Sequence, residues 1–463
     1  MVKLITGLFP FFVRQPNQMN ILLLQPKFLS SEATFPLGLA YLASSLTEAN
    51  QKVFGLDCAF CNFSAVRKTI LENNIELIAI SCHSYNYPEV MRLCRMLKSN
   101  FSIPIACGGA HCTLFPESVA GNKDIDFVIA GEGEKAIVGL AEAIEQNKGF
   151  GDIPSLFYRD TQGKLFKNGR CAPIKDLSSL PFPDWDAFPL KSYFGMNSRN
   201  RHYAPIITSR GCTHACRFCP ANKLWAAWRF RRAADVADEI ESVMRENKIR
   251  EFHIEDDNFF VDPERVVAIC NELIRRSLNI SWQCANGLNP EDVPPSAIEP
   301  MARSGCYRIA LGIESFNDGL LERMGRKSDI GRVRDIIAAA HRHSVEVTGY
   351  FMLGLPGETL DSIKSTVRLS RKLGLDFMAY SAFHVVPGSA VYEGLKSEYP
   401  LERIINKKVS LCSIDIGGLN KIKRNAYISS LFNKKVCRYI FRSLNSTKNL
   451  KNFFFKLREN ALS

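Results

Sequence analysis

The sequence predicts an α/β protein in which a doubly wound N-terminal domain is followed by a partial barrel of six strand–helix units and a short helical tail. Three observations carry this prediction. Strands that are apolar along their whole length alternate with helical patterns in two separate series, a stretch rich in proline and turn residues divides the series, and 463 residues are too many for one ordinary domain. With 46% hydrophobic and 23% charged residues the chain is globular, and no Gly-X-Y period or long polar tract interrupts it.

Residues 1–18 read as a lead or an upstream-start extension, because Met19 stands directly before the strand pattern NILLLQ. They contain a short apolar piece and a Lys, but no long h-region and no small-residue cleavage site. Between 19 and 150 strands are expected at Ile21–Leu24, Ile75–Ser81, Ile103–Ala106 and Phe127–Ala130, with helical spacing over Leu37–Glu48 and about 134–146. Such strands are buried on both faces, which is the mark of a parallel sheet under helices, and ligands of these sheets bind at the strands' carboxyl ends. Residues 151–205, with Pro154 and PFPDWDAFP at 181–189, read as an extended connector.

From 206 to 396 strands are expected at Ile206–Arg210, Glu251–Glu255, Ser281–Ala285, Arg308–Ile313, Glu346–Leu353 and Asp376–Val386. Helices are expected between them, at Ala234–Glu246, Pro263–Arg276, Asp329–His343 and Leu360–Leu373. Six units fall short of the eight that close a barrel. The tail, 397–463, reads as helices at Leu419–Ile428 and Val436–Leu444, with Phe453–Phe455 as a bulky anchor.

The net charge of +12 is confined to the ends. Residues 397–463 hold 14 Lys/Arg against 4 Asp/Glu, the lead adds Lys3 and Arg14, and 19–396 are neutral. The central body therefore needs no polyanionic partner, and no clear nucleic-acid footprint is present. The tail is left as a cap over a substrate, a basic face for an anionic partner such as a peripheral membrane contact, or a solvated end. Fifteen cysteines, an odd number in a chain able to build a large core, read as free thiols of a cytoplasmic protein. No run of 18 apolar residues suggests a membrane span.

The strongest motif is GCTHACRFCP at 211–220, directly after the first strand of the second series. Cys212, Cys216 and Cys219 at C-x3-C-x2-C spacing can face one point and hold a soft metal or an iron–sulfur cluster. A structural zinc site with His214 as fourth ligand is the competing reading, and its spacings are tighter than zinc patterns use. Other polar groups collect at strand ends: Glu255-Asp256-Asp257-Asn258, Gly312-Ile313-Glu314-Ser315 and Gly354-Leu355-Pro356-Gly357-Glu358, with a later Pro387-Gly388 turn. No Walker loop, Ser/His/Asp pattern or HExxH helix appears. Cys58-x-x-Cys61 has redox-motif spacing alone.

The cysteine motif, with Phe218 before its third cysteine, and these strand ends resemble the radical S-adenosylmethionine (SAM) superfamily over roughly 206–390. The resemblance implies that Cys212, Cys216 and Cys219 hold a 4Fe-4S cluster whose open iron chelates SAM. It also implies that Phe218, Asp256, Asp257, Glu314 and Ser315 line the SAM site. The N-terminal domain resembles the cobalamin-binding domain that precedes the radical SAM domain in one large subfamily, through Pro36–Ala43, Ser81-Cys82-His83-Ser84, Gly108-Gly109-Ala110-His111 and Gly131-Glu132-Gly133-Glu134. The implied cobalamin contacts are Ser81, Ser84, Gly108, Gly109, His111, Gly131, Glu132 and Gly133. A nucleotide-binding Rossmann site competes, but no Gly-x-Gly-x-x-Gly follows the first strand. Many cobalamin domains carry Asp-x-His-x-x-Gly; here the strand end Asp57–Asn62 has neither the histidine nor the glycine, and His83 and His111 are the nearby candidates for a lower cobalt ligand.

The resemblance implies an enzyme that cleaves SAM reductively to a 5'-deoxyadenosyl radical and transfers a methyl group to an unactivated carbon of a small-molecule substrate, served by an electron donor such as flavodoxin or ferredoxin. Oxidative cyclisation or ring rearrangement, as in the anaerobic cyclase of chlorophyll synthesis, is the alternative. A non-catalytic zinc module with a basic RNA- or membrane-binding tail is the distant one.

Overall fold

The computed structural model describes residues 18–28, 33–160, 162–195, 198–200 and 202–431. The first sheet starts with five parallel strands, β1 (Asn20–Gln25), β2 (Lys52–Asp57), β3 (Leu77–Ser81), β4 (Ile105–Gly108) and β5 (Phe127–Ile129), in the order β2-β1-β3-β4-β5. Alternate residues of one strand enter opposite cores. Ile21, Leu23, Leu77 and Ala79 pack with Leu39, Ala43 and Leu140 of the helices Leu37–Glu48 and Glu134–Glu145. Leu22, Leu24, Ile78 and Ile80 pack with Val66, Ile70, Val90 and Leu97 of the helices Phe63–Glu72 and Tyr87–Asn100. This two-sided burial is why the strands are apolar throughout, and each fully buried Leu or Ile contributes about 1.5–3 kcal/mol.

The segment after residue 150 does more than connect. β6 (Leu156–Arg159) and β7 (Leu165–Lys167) form a hairpin that joins β5 antiparallel, making the sheet seven-stranded. The following PFPDWDAFP stretch then straps the first helix. Trp185 stacks on Phe35 at 5.1 Å, the Asp184 N–H donates to the Ala40 carbonyl (3.0 Å), and Tyr193 donates from its hydroxyl to buried Asp57 (2.8 Å).

The second sheet has six strands, all parallel: β8 (Ala204–Ile206), β11 (Glu251–Ile254), β12 (Ser281–Leu288), β13 (Cys306–Glu314), β14 (Glu346–Leu353) and β15 (Phe377–Ala382), neighbours in that order. The helices between them start where the sequence offers side-chain caps, at Asp262, Asp329 and Thr359. One expected strand divides. Ile206–Arg210 ends its parallel pairing at Ile206, and β9 (Ser209–Arg210) pairs antiparallel with β10 (Arg229–Phe230), because Thr208 turns its N–H and hydroxyl to Asp256.

Beyond β15 the helix Ile416–Leu431 lies against that strand, with Leu419 and Ala426 in the core, and Ile404 and Val409 close over Phe383 and Val385. The first part of the basic tail thus covers the far side of the second sheet. The expected helix Val436–Leu444, the Phe453–Phe455 anchor and the lead up to residue 17 lie outside the described residues. Among the described residues no helix is long and apolar enough to cross a membrane.

Candidate functional site

The carboxyl ends of the two sheets face each other. The helix Ala110–Leu114, which follows β4, packs on Ala221–Leu224, which follows the three cysteines. Phe115 meets Tyr392 edge-on at 5.7 Å, and Leu114 packs against Gly388 of the Pro387-Gly388 turn.

The cysteine loop leaves β9 through Gly211, whose φ of +91° and contact with the Ala227 carbonyl leave no room for a Cβ. Its N–H donates to Asp257 (3.0 Å). Below the loop, the turn at Gly325 touches Ala215 and Cys216, and the Arg217 N–H donates to the Met324 carbonyl (2.9 Å). Cys212 and Cys216 are half-buried and Cys219 is exposed. Burial raises the thiols of half-buried Cys212 and Cys216, with Arg326 opposing the rise at Cys216. Among the described residues no three ligating side chains come together closely enough to hold a single metal ion, and the three thiols stay together on one loop, the number that would leave one iron of a cluster free. His214 is engaged elsewhere: its Nε2 lies 2.6 Å from Asp292 and 2.9 Å from the Asn289 amide.

Glu314 ends β13 in the left-handed region at φ +64°, where the β13–β14 register shifts, so the bulge aims its carboxyl at the site. Burial raises that carboxyl to about 7, and Arg326, which holds the Gly312 carbonyl at 2.6 Å, draws it back down. Ser315 is buried and serves the turn, its hydroxyl accepting from the Asn317 N–H (3.2 Å). Asp256 is buried too and accepts from the Thr208 N–H (2.6 Å), the Thr208 hydroxyl (2.5 Å) and the Ser209 hydroxyl (2.5 Å), with Arg265 alongside. It braces the root of the cysteine loop. Asp257 stands nearer the thiols, its carboxyl raised by burial. Phe218 packs toward Leu320, Met324 and Leu355.

Sequence reasoning passed over several groups. Glu358 accepts from the Gly354 (2.7 Å) and Leu355 (3.1 Å) N–H groups and shapes the turn after β14. Glu255, beside Asn286 and Tyr350 at the end of β11, is pushed by burial to about 7. Arg326 carried no signal in the sequence. Glu255 and Glu358 did, since both stand in strand-end motifs.

In the first sheet, Ser81 and Gly108 end adjacent strands in register. Gly109, at φ +105°, lies so close to the Cys82 carbonyl that a Cβ would sit 2.8 Å from it. Ser84 is 3.0 Å from the Nδ1 of His111, whose ring is fully buried between Tyr87 and Phe115 and whose Nε2 has no hydrogen-bond partner among the described residues. Burial lowers His111 to about 4, so it is neutral. His83 is exposed beside Phe28. Gly131, at φ +94°, opens onto free space, whereas Glu132 turns its carboxylate to Arg210 and Arg229 and Gly133 packs on Leu42. Glycine backbone bordering open space at the strand ends suits the close approach of a large flat ligand.

Comparison with known proteins matches the radical SAM superfamily profile over residues 206–370 and the B12 binding domain profile over 31–141. The chain carries a radical SAM domain and a B12 binding domain. It is 26% identical to an uncharacterized methyltransferase of Pyrococcus horikoshii, over 87% of this chain and 88% of that one. It is 24% identical to the anaerobic magnesium-protoporphyrin IX monomethyl ester cyclase of Rubrivivax gelatinosus, over 81% and 70%. Its fold is that of the radical SAM methyltransferase TsrM from Kitasatospora setae, a structure with cobalamin and a [4Fe-4S] cluster bound (TM-score 0.69, 17% identity, 82% and 75% covered).

Proposed function

We propose that the chain is a cobalamin-dependent radical SAM methyltransferase acting on an unactivated carbon of a small-molecule substrate. The observation that carries this reading is the meeting of the three-cysteine loop and the glycine-lined strand ends of the first sheet at one junction. Cys212, Cys216 and Cys219 would hold the 4Fe-4S cluster, and Gly108, Gly109 and Gly131 would admit cobalamin, with Ser81, Ser84 and His111 lining that end. When bound, the cluster supplies the electron that cleaves SAM and cobalamin supplies the methyl group.

The protein's own groups bind, orient and exclude water. Glu314 offers a carboxyl acceptor to the ribose or amine of SAM, Asp257 ties the loop backbone beside the thiols, and Arg326 braces Gly312 beneath them. The packed junction of Phe115, Tyr392 and Leu114 shields the interior from solvent. An electron donor such as flavodoxin or ferredoxin would serve the cluster.

Anaerobically reconstituted protein should hold about four irons per chain and retain cobalamin. With substrate it should form both 5'-deoxyadenosine and S-adenosylhomocysteine. Stoichiometric zinc without iron, or failure to retain cobalamin, overturns the reading. The likeness to the porphyrin ester cyclase favours a second reading, oxidative cyclisation, for which 5'-deoxyadenosine would form without S-adenosylhomocysteine.

A further inference from the structure

The root of the cysteine loop is the two-strand hairpin β9–β10, in which Arg210 and Arg229 are directly paired. Both arginines reach across to one residue of the other domain. The Oε1 of Glu132 accepts from Arg210 Nη1 (2.7 Å), and its Oε2 accepts from Arg229 Nη1 (2.7 Å) and from the Ile174 N–H (2.8 Å). Glu134 completes the set, accepting from Arg210 Nη2 at 2.6 Å. All four side chains are nine-tenths or more buried, and two guanidiniums against two carboxylates leave no net charge inside. Trp225, within the loop, lies 5.8 and 5.9 Å from the two guanidiniums and packs over them.

Glu132 stands between two glycines. Gly131 borders the open space at the strand ends, and its N–H is held by the Thr113 hydroxyl (2.9 Å). A single three-residue loop therefore presents backbone to that space on one side and clamps both ends of the cysteine loop on the other.

We propose that Glu132 is a positioning residue that couples cobalamin binding to the seating of the cluster loop. The inference rests on the cobalamin reading given above. A filled cluster fixes residues 211–228 and with them Arg210 and Arg229. Those in turn fix Glu132 and the backbone of Gly131. Cobalamin then meets a loop already ordered and loses less freedom on binding. The same coupling acts in reverse.

The test measures hydroxocobalamin dissociation constants for the full chain with and without its reconstituted cluster. In the wild type the cluster should tighten cobalamin about fivefold or more. In Glu132→Gln, which keeps the shape but cannot pair two guanidiniums, the two constants should agree within about twofold, and Glu132→Asp should restore part of the ratio. A merely structural weakening would loosen both forms alike and leave the ratio unchanged. A wild-type ratio near one, or the wild-type ratio retained in Glu132→Gln, overturns the proposal. Should Glu132→Gln fail to fold, Arg229→Lys keeps the charge, loses the planar fork and must lower the ratio; an unchanged ratio there is equally fatal. Absence of cobalamin binding in both wild-type forms would instead overturn the cofactor reading and this coupling with it.

Discussion

Replacing Asp256 by alanine tests whether this carboxylate braces the cysteine loop or faces SAM. Its side chain is buried and accepts from three donors at 2.5–2.6 Å, one N–H and two hydroxyls, with Arg265 within 3.4 Å. Alanine would strand the Thr208 N–H in the interior and leave buried Arg265 without its counter-charge. Removing one partner of a buried ion pair costs about 3–5 kcal/mol, and a stranded buried donor about 1–3 kcal/mol. The hydroxyls can turn to other acceptors and Arg265 keeps its bond to Thr208, so we expect a net loss of about 4 kcal/mol, and about half of that for Asp256→Asn. Urea unfolding of the apoprotein reads this loss, and iron per chain after anaerobic reconstitution should fall with it, because Thr208 and Ser209 lead directly into Arg210 and Gly211. A loss below about 1 kcal/mol with full iron content and abolished SAM binding would refute the bracing argument.

Cys216→Ala should reduce iron from about four per chain to background and abolish SAM cleavage, as checked by metal analysis and 5'-deoxyadenosine formation; full activity would remove the cysteine from the cluster. Glu314 charges as pH rises through about 7, so SAM affinity, measured by equilibrium dialysis, should improve from pH 6 to 8 and flatten in Glu314→Gln. The same raised carboxyl contributes stability that is complete below the ordinary carboxylate range and is lost as pH climbs through about 7. Gly109→Ala combines a left-handed φ with a Cβ driven to 2.8 Å from the Cys82 carbonyl, and should destabilise by about 2–3 kcal/mol in a thermal melt while weakening cobalamin retention.

Four strands of the first sheet were legible because burial on both faces writes itself as uninterrupted apolar residues, as in Ile21–Leu24, all fully buried, whereas β2 was not, since Lys52 is exposed and Val53–Leu56 are only half-buried. The helix Leu37–Glu48 was legible to the residue. The hairpin β6–β7 was not, since apart from buried Leu156 its residues Phe157–Arg159 and Leu165–Lys167 are half exposed or exposed and lie among turn residues that resemble a loop. At the site, three cysteines on one loop could be read from spacing alone. What Asp256, Ser315 and Glu132 do could not, because a carboxylate or hydroxyl in a motif looks the same whether it meets a ligand or a distant backbone. The partners of Glu132 lie 78 and 97 residues away, a separation that no local pattern encodes.

The hairpin β6–β7 also decides where the molecule can be cut. A chain ended after the helix Glu134–Glu145 would expose Phe127–Ile129, an apolar strand whose free backbone donors and acceptors invite pairing with another copy. It would also lose Arg159, whose guanidinium holds the Asn122 and Ile125 carbonyls, both at 2.8 Å. An excised first domain should therefore aggregate when it stops near residue 146 and remain monodisperse when it runs on past Lys167, so its working boundary belongs to the hairpin rather than to the last helix.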